Sequence, residues 1–290
     1  MTRRLRFALL SGLVLVVLVG VSIFGRGDDP TYTPLDVGAR HIADIEYGVP
    51  GHGPDTAHRL DVYLPAPSPN AVPAVIWIHG GGWINGDKSD PMGPWDWTDD
   101  GVAVVSINYR LAEGSTLAES AADVDAAVAH VLRHGSQWGI DTDRVGVYGH
   151  SAGGHLAALV AASEHPLVAV VAAGAPLELV RLLDPARSTF VGLDGEDAVE
   201  FVSAVLGCDG IDDACRELAG TLSPARIPSD STPVLVIHGD ADRFVAVDQA
   251  RAHADAHGDN PMVTVRVVPG RDHIQFRAEA NEFLTTYLFA

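Results

Sequence analysis

The stretch from Val145 to Leu159 constrains this chain more than any other. It begins as a short apolar strand, breaks at Gly149-His150-Ser151-Ala152-Gly153, and continues as an alanine-rich helix. A G-x-S-x-G turn between a strand and a helix holds its serine out at the end of the strand, with a helix N-terminus behind it. Gly149 and Gly153 flank Ser151 at two residues on either side, where a β-carbon would obstruct the reversing chain. The five letters alone are weak in a chain with 30 glycines. The strand before them and the helix after them make the pattern specific.

The rest of the chain reads as strands alternating with helices. His41 to Tyr47 and Arg59 to Leu64 alternate in polarity around a Gly/Pro-rich turn, as an antiparallel hairpin at a sheet edge would. Ala74 to His79 and Val102 to Ile107 are continuous apolar runs, the pattern of strands covered on both faces, and the Val145 strand, Leu167 to Ala172, Val234 to His238 and Val263 to Val268 read as the strands that follow. Asp141-Thr142-Asp143 reads as a turn leading into the Val145 strand. Thr116 to His134 has helical spacing, and Phe276 to Phe289 reads as a closing helix. This alternation predicts an α/β fold: a mostly parallel central sheet with helices on both faces. Residues 176–232 are too long for a crossover and predict a small helical cap inserted above the sheet, with a helix from Ala198 to Leu206.

Charge and cysteine bound the partners. Formal net charge is −19, and Lys88 is the one lysine. Such a surface repels phosphate backbones and anionic lipid, which excludes a nucleic-acid partner. At the N-terminus, Arg3, Arg4 and Arg6 precede the apolar run Phe7 to Phe24. Residues 1–27 therefore read as a signal peptide or membrane anchor, residues 28–40 as a linker, and residues 41–290 as one domain. The positive flank directs the body outward: exported, either extracellular or on the outer face of the cytoplasmic membrane, touching membrane only through this segment. The two cysteines, Cys208 and Cys215, fit a disulfide in an oxidising compartment.

A serine nucleophile needs a base, an acid to orient the base, and donors for the developing oxyanion. Open α/β sheets place such groups beyond the carboxyl ends of their strands. The His79-Gly80-Gly81-Gly82-Trp83 turn follows a strand, and its three glycines let backbone N–H groups approach a ligand closely; Ala152 N–H, at a helix start, offers another donor. No phosphate-loop spacing is present there. After the strand ending at His238 come two acids, Asp240 and Asp242, and spacing favours neither. After the last strand, His273 completes the order Ser, Asp, His. Trp83 and His150 are candidate linings of a substrate pocket, with packing as the alternative for both. Trp95 and Trp97 are assigned to loop packing, and Tyr109-Arg110 to a brace. His253 and His257, at i and i+4, are assigned to a solvated helix face, because no third metal ligand is evident.

These four motifs, in this order, resemble the α/β-hydrolase superfamily, and within it the H-G-G-G esterase and lipase group. The resemblance spans roughly residues 40–290. Trp83 followed by Asn85-Gly86-Asp87-Lys88-Ser89 is similar to the bacterial feruloyl and acetyl-xylan esterase-like branch, which is close to kynurenine formamidases. Asn108-Tyr109-Arg110-Leu111-Ala112 is similar to a segment of hormone-sensitive-lipase-like esterases. The resemblance implies Ser151 as nucleophile, His273 as base, Asp242 rather than Asp240 as the orienting acid, and Gly81, Gly82 and Ala152 as oxyanion donors. It implies hydrolysis of a short-acyl or small carboxylic ester, free or linked to polysaccharide, with no metal and no organic cofactor. The N-terminal segment and the cysteine pair depart from typical members and set aside a cytoplasmic formamidase role. An amidase, formamidase or peptidase using the same residues, and a catalytically dead binding module, are the competing readings. Oligomeric state is not encoded in any of these features.

Overall fold

The computed structural model describes residues 40–48, 56–190, 193–273 and 276–290. Residues 1–27, read above as a signal peptide or membrane anchor, and the linker up to residue 39 lie outside the described residues, as does most of the turn after Gly48. Among the described residues no helix is long and apolar enough to cross a membrane.

Among the described residues ten strands and seven α-helices follow one another: β1 (Arg40–Glu46), β2 (Arg59–Leu64), β3 (Val72–Ile78), β4 (Ala103–Ile107), α1 (Leu117–His134), β5 (Ile140–His150), α2 (Ala152–Ala161), β6 (Val170–Ala173), α3 (Leu179–Leu182), β7 (Thr189–Phe190), β8 (Leu193–Asp194), α4 (Gly195–Leu206), α5 (Asp213–Thr221), β9 (Val234–Gly239), α6 (Asp248–His257), β10 (Val263–Val268) and α7 (Arg277–Leu288). Eight strands form one sheet in the order β1-β2-β4-β3-β5-β6-β9-β10. The edge hairpin is antiparallel, as is β2 against β4, and every other pairing is parallel. The sheet is thus the mostly parallel one that the apolar runs predict.

Alternation along the strands divides the core into two layers. On β3, Ala74, Ile76 and Ile78 face the layer that holds Leu117, Val124 and Val128 of α1 and Leu156 of α2. Val75 and Trp77 face the other layer, with Leu284 and Leu288 of α7 and with Trp95 and Trp97. Helix α1 starts where its chemistry demands. Thr116 accepts the Glu119 N–H, and Glu119 accepts the Thr116 N–H at 2.8 Å, so two orphan donors are satisfied reciprocally.

β5 runs further back than the apolar run predicts. Its pairing with β3 jumps from Ile140 to Ala74's partner Val145, and Asp141 accepts the Asp143 N–H at 3.1 Å. The expected Asp-rich turn therefore sits inside the strand as an irregularity.

Between β6 and β9 the chain forms α3, the β7–β8 hairpin, α4 and α5. Gly207, at φ +85°, ends α4, and Asp212 caps α5 by accepting the Cys215 N–H at 2.9 Å. A disulfide joins Cys208 to Cys215 across that connection.

Candidate active site

β5 ends at His150 and α2 begins at Ala152, so Ser151 must absorb the whole change of direction. It does so at φ +57° and ψ −122°, a region that costs a non-glycine residue strain. The flanking glycines are needed because of what surrounds them. A β-carbon on Gly149 would collide with the Gly153 carbonyl group, and one on Gly153 with the carbonyl oxygens of Ile78 and His79. The turn is pressed that tightly against the end of β3. Ser151 N–H donates to the Ala173 carbonyl at 2.8 Å, which anchors the turn to β6.

The loop after β3 lies beside it. A β-carbon on Gly80 would stand 3.3 Å from Ser151 Cβ. Gly81, Gly82 and Trp83 all have positive φ, at +106°, +60° and +64°. This coil folds back on itself: Gly81 O accepts the N–H groups of Ile84 and Asn85. Tyr109 holds it from below, donating through its hydroxyl to the His79 carbonyl at 3.0 Å and stacking on the His79 ring. The N–H groups of Gly81, Gly82 and Ala152 donate to no acceptor among the described residues. Gly82 and Ala152 are buried and Gly81 is half-buried, and a buried N–H without a partner is costly, so this corner of the fold has donors to offer.

The loops that follow β9 and β10 are stitched together residue by residue. Asp240 Oδ1 accepts the Gly270 N–H at 2.6 Å, and Ala241 N–H donates to the Arg271 carbonyl at 3.0 Å. Asp242 Oδ2 lies 2.8 Å from His273 Nδ1, and Arg243 donates twice to Asp272, at 3.0 and 2.7 Å. Of the two acids that spacing left open, Asp242 faces His273 and Asp240 closes the turn.

The Asp242 side chain is fully buried. Its Oδ1 accepts the N–H groups of Phe244 and Val245 at 2.8 and 2.9 Å. Burial on its own would raise the Asp242 pKa. The hydrogen bonds from His238, His273 and the backbone outweigh burial and hold the carboxyl well below the usual range, so it stays ionised. With Nδ1 of His273 donating to this carboxylate, Nε2 is the nitrogen left to accept a proton.

His273 is positioned on several sides. Its ring lies 4.8 Å from the His150 ring and 5.3 Å from that of Phe244. Its carbonyl accepts His150 Nε2–H at 2.7 Å. Gly174, at φ +55°, leaves room where a β-carbon would press on the imidazole. Among the described residues no hydrogen bond joins Ser151 Oγ to His273. The two are neighbours through His150, adjacent to Ser151 in sequence, and through the β6 end that touches both.

The remaining candidates sort by burial. Trp83 is 0 % exposed, stacked on Phe190 at 5.0 Å and edge-on to His155 at 5.3 Å, so it is packed beneath the β7–β8 hairpin. Trp95 and Trp97 pack on Tyr63 and Tyr148 in the core layer of α7. Arg110 clamps Asp123 and Glu119 and is a brace. The solvated face assigned to His253 and His257 is overturned: both are buried, 4.5 Å apart, and His257 Nε2 lies 3.2 Å from the Pro224 carbonyl. That side of α6 packs on the Pro224–Arg226 turn, a contact invisible to helix periodicity. Among the described residues no group of three or more His, Cys, Asp or Glu is placed to hold a metal.

One residue at the site escaped the sequence reading. His238, taken there as a strand terminus, is 0 % exposed, with Nε2 3.1 Å from Asp242 Oδ2. The available signal was a histidine at the end of an otherwise apolar strand, four residues before an acid.

Comparison with known proteins bears on the family and the fold. The BD-FAE family model matches residues 60–256. Esterase LipC of Mycobacterium tuberculosis is 27% identical over 245 residues, which cover 78% of this chain and 59% of LipC. The probable carboxylic ester hydrolase LipM of the same organism is 29% identical over 233 residues, 74% of this chain and 51% of LipM. The chain thus spans half to three-fifths of the length of these relatives. Among solved structures, esterase B from Lactobacillus rhamnosis inhibited by a tributyrin phosphonate superposes with a TM-score of 0.75 at 22% identity, covering 100% of this chain and 97% of that one. The fold is that of an α/β-hydrolase, and the chain belongs to the BD-FAE family.

Proposed function

We propose that the protein hydrolyses short-acyl or small carboxylic esters through an acyl-enzyme, with Ser151 as nucleophile. The observation that carries this reading is a serine in a strained turn at a helix N-terminus, beside a histidine whose Nδ1 is held at 2.8 Å by a buried carboxylate. His273 Nε2 takes the Ser151 proton as Oγ attacks the ester carbonyl. Asp242 keeps the Nδ1–H tautomer and stabilises the imidazolium that forms. The developing oxyanion is received by the N–H groups of Ala152 and of Gly81 or Gly82, aided by the positive end of α2. His273 then protonates the leaving alcohol. Water, deprotonated by the same nitrogen, releases the acid.

Kinship with proteins named esterases, and with one inhibited by a tributyrin phosphonate, favours esters of short acids over amides. The disulfide and the N-terminal segment of the sequence favour action outside the cytoplasm. The test is hydrolysis of 4-nitrophenyl esters of increasing chain length by the full chain, with Ser151→Ala alongside. We expect turnover that peaks at acetate or butyrate, lost in Ser151→Ala, and phosphonate labelling of Ser151. Full turnover by Ser151→Ala would overturn the mechanism. No turnover and no labelling would make the protein a binding module.

A further inference from the structure

Asp242 Oδ2 faces two imidazoles. His273 Nδ1 is 2.8 Å away and His238 Nε2 is 3.1 Å away. His238 Nε2 also lies 2.9 Å from the Val245 carbonyl. A carbonyl and an ionised carboxylate only accept, so Nε2 must carry the proton and the tautomer is fixed. The other ring nitrogen, Nδ1, is buried with no partner among the described residues. Such an atom is costly, and leucine or phenylalanine would fill this place in a strand whose preceding residues are Val234, Leu235, Val236 and Ile237 at lower cost to folding. The histidine is justified by its donor.

That donor matters because, among the described residues, no lysine or arginine pairs with Asp242. Arg243, the adjacent guanidinium, is engaged with Asp272. Two backbone N–H groups hold Oδ1, and His238 with His273 hold Oδ2.

We infer that His238 is a positioning residue of the reaction, fixing the rotation of the Asp242 carboxylate by donating to the oxygen that orients His273. Without it, Oδ2 has only His273, the group whose charge changes in every cycle, and the carboxylate follows that ring instead of anchoring it. The inference rests on the proposed hydrolysis by Ser151.

The test compares His238→Leu, His238→Gln and His238→Asn in the full chain on a 4-nitrophenyl ester. Gln carries an N–H₂ group about as far from the backbone as His Nε2, and can serve both acceptors; Asn stops near the Nδ1 position. In His238→Leu we expect kcat to fall on the order of 10²-fold with KM nearly unchanged, as a small misplacement of a catalytic group does. His238→Gln should recover kcat to within a few-fold, and His238→Asn should not. The low-field proton resonance of His273 Nδ1–H should move in the Leu and Asn variants and stay in place with Gln. Unchanged kcat in a folded His238→Leu would overturn the inference. So would equal losses in the Gln and Asn variants, which decide the matter if the Leu variant does not fold. Ser151→Ala is run beside them: its full activity would remove the hydrolytic reading itself, whereas an inactive Ser151→Ala with indifferent His238 variants would remove only this one.

Discussion

Gly153 excludes a side chain at Gly149: a β-carbon on Gly149 would fall closer than 3.0 Å to the Gly153 carbonyl group. Gly153 in turn has the Ile78 and His79 carbonyls against it. All these obstacles are backbone, in the middle of the sheet, and cannot swing aside. We expect Gly149→Ala and Gly153→Ala each to cost about 3 kcal/mol or more, measured by urea unfolding. A loss below 1 kcal/mol in either would show that the turn relaxes more readily than its packing implies.

The two acids after β9 should separate cleanly. Asp242→Asn leaves the shape intact but favours the wrong His273 tautomer, for which we expect a kcat loss on the order of 10⁴-fold. Asp240→Asn keeps an oxygen for the Gly270 N–H and should stay within a few-fold of the parent. Steady-state kinetics on one ester decides, and the reverse ranking would move the orienting role to Asp240.

Acid should weaken the fold through its buried histidines. Burial, with a smaller contribution from nearby His273, lowers His150 to about 3. Burial lowers His155 to about 4, and burial with His257 nearby lowers His253 to about 3. Each binds its proton more readily in the unfolded chain, near pH 6.5, than in the folded one. The stability they confer is complete above pH 6.5 and is lost as pH falls toward 4 and 3. The slope is up to about 1.4 kcal/mol per pH unit for each histidine. Unfolding midpoints at pH 7 and pH 5 should differ accordingly. His253 has neither ring nitrogen partnered among the described residues. His253→Leu should therefore flatten the dependence and raise stability at pH 5. An equal midpoint at the two pH values would refute this account.

The Cys208–Cys215 bridge closes a short loop between α4 and α5. Replacing both cysteines by serine should lower stability by about 2–3 kcal/mol, the loop-closure entropy of so short a crosslink. Urea unfolding of the oxidised parent against the double variant measures it. No difference would mean that the Gly207 and Asp212 end signals already hold that connection.

What the sequence by itself determined was local. The apolar runs of β3, β4, β5 and β9 carry their own period, the Thr116–Glu119 box marks its own helix start, and the G-x-S-x-G turn announces Ser151 because its steric demand falls on five consecutive residues. Only the tertiary structure decided matters that depend on partners far along the chain. Asp240 and Asp242 are two residues apart, and the register of their loop against Gly270–His273 chooses which one meets the histidine. His253 and His257 look solvated on a helical wheel and are buried because the Pro224 turn covers them. Trp83 is buried because Phe190, more than a hundred residues later, stacks on it. His238 acquires its place beside Asp242 the same way. Backbone periodicity is set by each segment's own residues, whereas burial and hydrogen-bond partnership are set by packing, which brings together residues that no local spacing relates.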